Sequence, residues 1–296
     1  MKQLLTYLSI IFLSSCIKSI PLEIDASDPK IVVNALITED QDIKVYISST
    51  SSISDTNINE VSPQIKLFED NNFAANLEFN SEGFYTTDYT LSSSKQYKLE
   101  VTDSDLGICT AIDTIPEKVP ISVANFNMPV GFDEYGSPYY QAEIQFQDPP
   151  NAENYYEILI YEEQYNQYVS NYITSNASII NEGDQEYMPT SLFFSDELFN
   201  GNTFEISIKF IGASQILING EYAPVGNYYV ILRSISHVYY SYRKSWTRHA
   251  YNQTIPDDIL GMFFKGEPID AYTNVTNGYG IFAGYNEDIK ELTLTN

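Results

Sequence analysis

Cys16 is the residue whose type and position predict a specific chemical reaction. It follows Met1-Lys2, an apolar run from Leu4 to Leu13 and the small pair Ser14-Ser15. A charged start, a short apolar stretch and small residues before a cut are typical of a secretory signal. A cysteine at the cut is typical of a bacterial lipobox, in which the sulfur and the new amino group of Cys16 carry acyl chains.

The apolar run is too short to be a spanning helix, which needs about 20 apolar residues. We therefore interpret residues 1–15 as a lipoprotein signal peptide that is removed. Residues 16–29 contain Pro21, Pro29 and scattered acids, and we interpret them as a lipidated tether. Each buried CH₂ contributes about 0.8 kcal/mol, so several acyl chains give lasting attachment to a membrane. The mature chain is expected to fold outside the cytoplasm.

The two histidines, His237 and His249, do not predict a metal site. They are 12 residues apart on a predicted helix, which places them about 120° apart around its axis, so they cannot act as a paired zinc site. The sequence contains neither H-E-x-x-H nor G-x-S-x-G. A Ser-His-Asp arrangement remains geometrically open, as in any chain, but the structural interpretation of both histidines is favoured.

Carboxylates are abundant, and adjacent pairs occur at Glu39-Asp40, Glu162-Glu163 and Asp257-Asp258. A glycosidase needs two carboxylates at a fixed separation across a cleft, and a chain with 40 acids contains chance pairs. Acid-rich loops of exported β-domains also hold calcium, and Asp133-Glu134 or Asp148 can contribute oxygens. The EF-hand pattern is absent. We predict a non-enzymatic protein with no catalytic residue and no cofactor, and leave calcium open without assigning ligands.

The charge balance excludes some partners. Lys+Arg number 15 and Asp+Glu number 40, which gives a formal net charge of -25. Such a surface repels phosphate backbones, which argues against nucleic-acid binding. It also argues against a polybasic surface that docks on membranes. Once Cys16 carries lipid, Cys109 is alone, so no disulfide is expected within one chain. Cys109 lies in a predicted strand and is expected to be an inert buried thiol.

The pattern of apolar residues predicts a mainly β fold with two β-sandwich domains. Residues 30–116 contain seven short strands with turn residues between them, which is typical of an immunoglobulin-like sandwich. Pro116 and Pro120 bracket a stiff linker at 117–120. Residues 121–296 are predicted as a second sandwich of immunoglobulin or fibronectin type, with a helix inserted near 236–252.

Ser236 is predicted to cap this late helix. Near-helical spacing predicts a buried stripe on it, formed by Tyr239, Tyr242, Trp246 and Ala250. A further short helix is predicted near Ser195 to Phe199. Three basic residues also lie on the late helix, namely Arg243, Lys244 and Arg248. Pairing with the acidic surroundings is favoured over a docking spot for an acidic partner.

Five segments, in a fixed order and spacing, carry a family resemblance. They are Ile20-Pro21-Leu22-Glu23-Ile24-Asp25, Pro29-Lys30-Ile31-Val32-Val33, Tyr97-Lys98-Leu99-Glu100-Val101 leading to Thr110-Ala111-Ile112-Asp113-Thr114-Ile115-Pro116, Asp148-Pro149-Pro150 before Asn154-Tyr155-Tyr156, and Asn277-Gly278-Tyr279-Gly280-Ile281-Phe282. In these segments the chain resembles the Bacteroidota outer-membrane lipoproteins known as domain of unknown function 4249. The resemblance covers nearly the whole mature chain.

The resemblance implies an outer-membrane lipoprotein, often encoded beside TonB-dependent receptors, and it supplies no catalytic residues. Residues Ile17-Lys18-Ser19 lack the acidic cluster associated with export to the cell surface in this phylum. The membrane face that the protein occupies, periplasmic or cell-surface, therefore stays open.

Two functions follow from the sequence. The first is a binding or assembly module beside an outer-membrane β-barrel such as a TonB-dependent receptor. The second is a glycan-binding or adhesin-like surface lipoprotein, because tyrosine combines an apolar ring with a hydrogen-bonding end. The candidate glycan-binding residues are Tyr161, Tyr165, Tyr168 and Tyr172. A tyrosine-rich β-sheet without any ligand is the structural alternative.

Overall fold

The fold is mainly β, and its strands form two sandwich-like units, as the strand pattern predicts. The computed structural model describes residues 28–39, 41–51, 61–150, 152–183, 190–212, 215–218, 220–253 and 269–295. Within these ranges no helix is both long enough and apolar enough to cross a membrane. The predicted signal peptide, Cys16 and most of the predicted tether lie outside the described residues.

The first half contains the strands that its alternating pattern predicts. In β2, for example, Ile43 and Val45 are buried while Lys44 and Tyr46 are exposed, because successive side chains of a strand point to opposite faces. The strands are β1 (Ile31–Ile37), β2 (Ile43–Ser49), β3 (Gln64–Glu69), β4 (Asn72–Phe79), β5 (Tyr85–Thr87), β6 (Gln96–Asp103) and β7 (Gly107–Thr114).

The second half adds further strands and two helices. The strands are β8 (Ile121–Asn127), β9 (Tyr140–Gln147), β10 (Tyr155–Glu162), β11 (Gln167–Tyr168), β12 (Leu192–Ser195), β13 (Thr203–Phe210), β14 (Gln215–Ile218), β15 (Glu221–Pro224), β16 (Tyr228–Ile235), β17 (Val275–Thr276), β18 (Tyr279–Glu291) and β19 (Thr293–Leu294). The helices are α1 (Ala177–Glu182) and α2 (His237–Gln253), and a 3₁₀ turn spans Glu163–Tyr165.

The helices differ in part from the prediction. The late helix forms as α2, and the Ser236 hydroxyl accepts a hydrogen bond from the Tyr239 amide, as a cap does. The predicted stripe is wrong at its C-terminal end, because Tyr239 is buried but Trp246 is 43% exposed. The predicted helix near Ser195 is also wrong, since strand β12 ends there in a turn.

Strand β18 joins the two sandwiches. Its residues 279–284 pair in parallel with β1, and its residues 285–291 pair antiparallel with β16. The resulting long sheet has the order β11-β10-β16-β18-β1-β2-β5-β4-β3-β6-β7-β17, and β12 also pairs with β10. Val275 and Phe282 belong to the first core. The linker at 117–120 is therefore not the only connection, since the chain returns to the first sandwich near its end.

Three glycines allow other backbone segments to lie close to β18. A Cβ atom on Gly280 would collide with the carbonyl of Val33, and one on Gly284 would collide with the carbonyl of Thr114. The sheet thus rolls until β7 lies against β18, which closes the first core. The spacing of Gly278, Gly280 and Gly284 reflects this close packing of backbone segments.

The second sandwich pairs two sheets face to face. The four-stranded sheet β13-β9-β8-β19 packs on the β10-β16-β18 part of the long sheet, and both contribute to one aromatic-rich core. Helix α2 covers the outer face of β10 and β18. Residues such as Tyr155 and Tyr156, which point to opposite faces, are consequently both buried.

We expect the two sandwiches to unfold as one unit, because they share β18. Gly284→Ala should lower the free energy of unfolding of both by about 1–3 kcal/mol, since the Thr114 carbonyl must move. Urea unfolding can be followed by Trp246 fluorescence and by thiol labelling of the buried Cys109, in a chain that also carries Cys16→Ser. Separate transitions for the two probes, or a shift of only one, would contradict this expectation.

Candidate functional site

A cleft of about 460 Å³ lies where the two sandwiches meet. Three segments form its walls, namely the end of β7 with the linker (113–119), residue 149 with residues 152–155 before and at the start of β10, and the end of β16 with the start of α2 (234–237). These segments are far apart in the sequence, and the cleft exists because β18 holds the sandwiches side by side. It is the first candidate site.

Asp113 is a buried carboxylate at this junction. Its Oδ2 accepts hydrogen bonds from the Ser236 hydroxyl at 2.5 Å and from the Gly284 amide at 2.8 Å. Burial raises the pKa of Asp113 to about 6, although both hydrogen bonds favour the ionised form. Asp113 lies on the first sandwich and Ser236 on the second, so this contact ties the two together.

The geometry around Ser236 does not form a catalytic triad. In a triad the histidine lies between the serine and the carboxylate, whereas here the Ser236 hydroxyl donates directly to Asp113. The ring of His237 instead packs on Tyr155, with the ring centroids 5.3 Å apart. His249 stacks on Trp246 at 5.7 Å. The two histidines therefore make separate aromatic contacts, in agreement with the structural interpretation.

Ion pairs connect helix α2 to the elements beneath it. Glu157, on β10, is buried and lies 3.2 Å from both Arg233 and Arg243. Lys244 lies 2.7 Å from Glu182 of α1. Burial opposes ionisation of Glu182, but hydrogen bonds from Lys244 and Tyr240 lower its pKa below the ordinary value. For Arg243 and Lys244 the prediction of pairing with acids is confirmed.

The acids considered as calcium ligands have other partners. Asp148 is fully buried, and its two oxygens accept from the Tyr156 hydroxyl and the Gly201 amide. Asp133 accepts from the amides of Tyr135 and Ser137 within its own loop. In the described parts of the chain, no group of three His, Cys, Asp or Glu side chains has an arrangement that can hold a metal.

The four candidate tyrosines do not share one surface. Tyr161 and Tyr168 pack edge to face at 5.8 Å, and Tyr161 also contacts the Tyr229 ring at 6.4 Å. These three rings form a patch on the outer face of β10, β11 and β16. Tyr165 is exposed in the 3₁₀ turn. Tyr172 packs against the second core, and its hydroxyl accepts from the Ile160 amide, which removes it from the patch.

An exposed apolar tip stands at the end of the second sandwich. Among the described residues, the strands β14 and β15 pair only with each other. The Tyr222 ring of this hairpin packs on Phe132 of the 129–139 loop at 5.5 Å. Large apolar side chains are exposed on both segments. They are Phe132, Tyr135, Ile216, Leu217 and Ile218, with Tyr135 at 85% and Leu217 at 61% exposure. We call these five residues the apolar tip.

The apolar tip lies at the opposite end of the molecule from the start of the first strand. Lys30, just before β1, lies over the Tyr279 ring at the beginning of β18. At the other end of β18, the Leu292 amide donates to the Tyr228 carbonyl. The tip hairpin comes just before Tyr228 in the chain and therefore lies near this end. A strand of 13 residues spans roughly 40 Å. Lys30 and the apolar tip therefore lie near opposite ends of β18.

Cys109 is buried in the first core, as predicted from its strand. Burial raises the pKa of its thiol to about 11. A thiol with a raised pKa is poorly ionised at neutral pH and reacts slowly. Cys16, the predicted lipidation site, lies outside the described residues.

The family is shown by comparison with known proteins. A family model described as "Domain of unknown function (DUF4249)" matches residues 17–291. The chain belongs to the DUF4249 family. This agrees with the resemblance noted in the sequence. No curated protein matched this DUF4249 chain.

Among solved structures, one match is titled "Crystal structure of Putative membrane anchored protein from Corynebacterium diphtheriae". The identity is 10%, the TM-score is 0.21, and the match covers 71% of this DUF4249 chain and 55% of that one. The chain thus spans about half the length of that solved chain. The TM-score is too low to indicate a shared fold.

Because the pKa of Asp113 is raised in the folded chain, we expect the free energy of unfolding to depend on pH. Its folded-state pKa of about 6 is above the ordinary value of 3.8, so the folded chain keeps this proton between about pH 4 and 6 while the unfolded chain releases it. The contribution of Asp113 to stability therefore falls as pH rises through that window.

Asp113→Asn removes this titration. Relative to the natural chain, the variant should gain at most about 3 kcal/mol of unfolding free energy between pH 4 and 7. Urea unfolding at both pH values measures the difference. An equal difference at the two pH values would show that Asp113 does not titrate abnormally.

Proposed function

We propose that this DUF4249 chain is a lipid-anchored, non-enzymatic module of the outer membrane that docks on a β-barrel partner such as a TonB-dependent receptor. The lipobox-like segment ending at Cys16 supports the anchor. The observation that carries the docking function is the apolar tip, which presents large apolar side chains at the end remote from the tether.

Exposed apolar clusters of this kind mark interaction surfaces. Ile216 and Ile218 point to one face of the β14-β15 hairpin and Leu217 points to the other, and all three are exposed. Both outer edges of this two-stranded sheet are also unpaired in the described structure. A partner strand can add to such an edge through main-chain hydrogen bonds.

The charge around the tip favours a protein partner over the lipid surface. The segments 129–139 and 215–224 contain Asp133, Glu134 and Glu221 but no lysine or arginine. Acidic residues are repelled by anionic headgroups, whereas peripheral membrane surfaces carry lysine and arginine. A partner groove with an apolar floor and a basic rim would be complementary to the tip.

The distance between anchor and tip agrees with this arrangement. Lys30 is 14 positions after Cys16, and an extended chain reaches at most about 3.6 Å per residue. The tether can therefore hold the first sandwich up to roughly 50 Å from the membrane. The tip then meets a partner that projects from the membrane.

The test is capture of the partner from native membranes. The lipidated protein, cross-linked in cells and purified in mild detergent, should bring down an outer-membrane β-barrel identified by mass spectrometry. Ile216→Asn with Ile218→Asn should reduce the captured barrel roughly thirtyfold, since each of the two lost apolar contacts contributes about 1 kcal/mol. Cys16→Ser should abolish membrane retention.

The matched control is Ile108→Asn with Ile112→Asn, because these isoleucines are similarly exposed but lie on the first sandwich. This control should capture as much barrel as the natural chain. Purification of the lipidated protein alone, or equal losses in both double variants, would count against the proposal. Binding of the tip to protein-free vesicles would assign it to lipid instead.

A second candidate function is glycan binding, favoured by the patch of Tyr161, Tyr168 and Tyr229. Clustered, partly exposed tyrosines can pack on sugar rings and hydrogen-bond to the sugar hydroxyls.

On a glycan array, Tyr161→Ala with Tyr168→Ala should then remove most of the signal, while Tyr46→Ala on the first sandwich should not. Flat binding by the natural chain would exclude this function.

A further inference from the structure

We propose that the cleft between the sandwiches binds a cation carried on an apolar stem, namely the ammonium or guanidinium group of an alkylamine or of a basic side chain. This site is separate from the apolar tip, and the proposal does not depend on the docking function. Four features of the cleft support it.

The first feature is charge. Three carboxylates line the cleft, from Asp113, Glu117 and Glu153, and no lysine or arginine is among the lining residues. Glu117 lies on the linker and Glu153 on the loop before β10, and both are exposed. The two therefore face solvent from different walls. A cation that enters the cleft is attracted by both before it loses its water.

The second feature is a buried hydroxyl without a partner. Ser234 lines the same cleft and is only 5% exposed, and its Oγ makes no hydrogen bond within the described structure. A buried polar group without a hydrogen-bond partner destabilises the structure that contains it. An N–H donor bound in the cleft would satisfy this oxygen, so Ser234 points to a ligand independently of the charges.

The third feature is the aromatic wall. Tyr155 and His237 line the cleft with their rings in contact, and the electron-rich face of a tyrosine ring attracts cations. Burial and the nearby Glu153 carboxylate both raise the pKa of the Tyr155 hydroxyl, so this carboxylate lies close to the ring. An ammonium or guanidinium group near Tyr155 and Glu153 is attracted by the tyrosine ring and by the carboxylate.

The fourth feature is the apolar remainder of the walls. Val119 and Ile235 are buried side chains that line the cleft, and Pro116 and Pro149 lie beside them. These surfaces suit the methylene stem of the ligand and not a bare metal ion, which prefers oxygen ligands on several sides. The cleft is therefore assigned to an organic cation.

The experiment is titration calorimetry of the full mature chain at about pH 7 with two probes. Agmatine carries a guanidinium group on a free alkylamine, and a blocked Ala-Arg-Ala peptide carries the same group on a polypeptide. One-to-one binding of agmatine alone indicates a small amine as ligand. Binding of the peptide indicates a basic side chain of another protein. Either result supports the site.

The variants separate the cleft from the general acidity of the chain. Glu117→Gln with Glu153→Gln should weaken binding roughly tenfold, because it removes the two exposed carboxylates that attract the cation from different walls. Ser234→Ala should weaken binding by a smaller factor and should not lower the unfolding midpoint, because it removes a buried hydroxyl that has no partner in the free protein. Glu78→Gln with Glu134→Gln makes the same change in net charge on exposed sites outside the cleft, and should leave affinity unaltered.

Two results would overturn the proposal. One is the absence of heat with both probes at millimolar concentration. The other is an equal loss of affinity in the cleft pair and the control pair, which would show that the cations bind the acidic surface without a site.

Discussion

The pairing of β18 with two different partners is the constraint on which the rest of the structure depends. The backbone of its residues 279–284 pairs with β1, and the backbone of its residues 285–291 pairs with β16. Because buried backbone groups must remain paired, neither sandwich can move without breaking part of this ladder. The Asp113–Ser236 contact and the bond from Asn286 to the Pro116 carbonyl add side-chain ties at the same junction. The cleft and the separation of tether and tip both result from this one strand.

The sequence predicts those elements whose stability is local. Clean alternation defines most strands of the first half, and the capping serine defines the start of α2. Short strands such as β12, β17 and the β14-β15 hairpin lack a pattern of their own and depend on tertiary partners. The sequence suggests two strands at 279–285 and 289–294, because Asn286 and Glu287 interrupt the apolar run. The strand nevertheless continues, since Asn286 is buried with hydrogen-bond partners in Thr38 and Pro116.

The candidate sites also differ in whether one stretch of sequence is enough to predict them. Cys16 is identified by a motif confined to one segment, and no three-dimensional information is needed for it. The tyrosines cluster in sequence, but only the tertiary structure brings Tyr229 beside Tyr161 and ties the Tyr172 hydroxyl to the Ile160 amide. The cleft combines three distant segments, and its serine–aspartate contact joins residues 123 positions apart. No pattern within a single stretch of sequence can predict such a site.

The late position of β17 and β18 has a consequence for the nascent chain. Synthesis runs from the N-terminus, so β1 to β7 exist before residues 275–284 emerge. Until then β1 lacks its parallel neighbour and the core lacks Val275 and Phe282. Unpaired edges of this kind invite wrong strand pairing. The first sandwich is thus synthesised first but cannot complete its core until β18 has emerged. Until then the chain needs protection from misassembly.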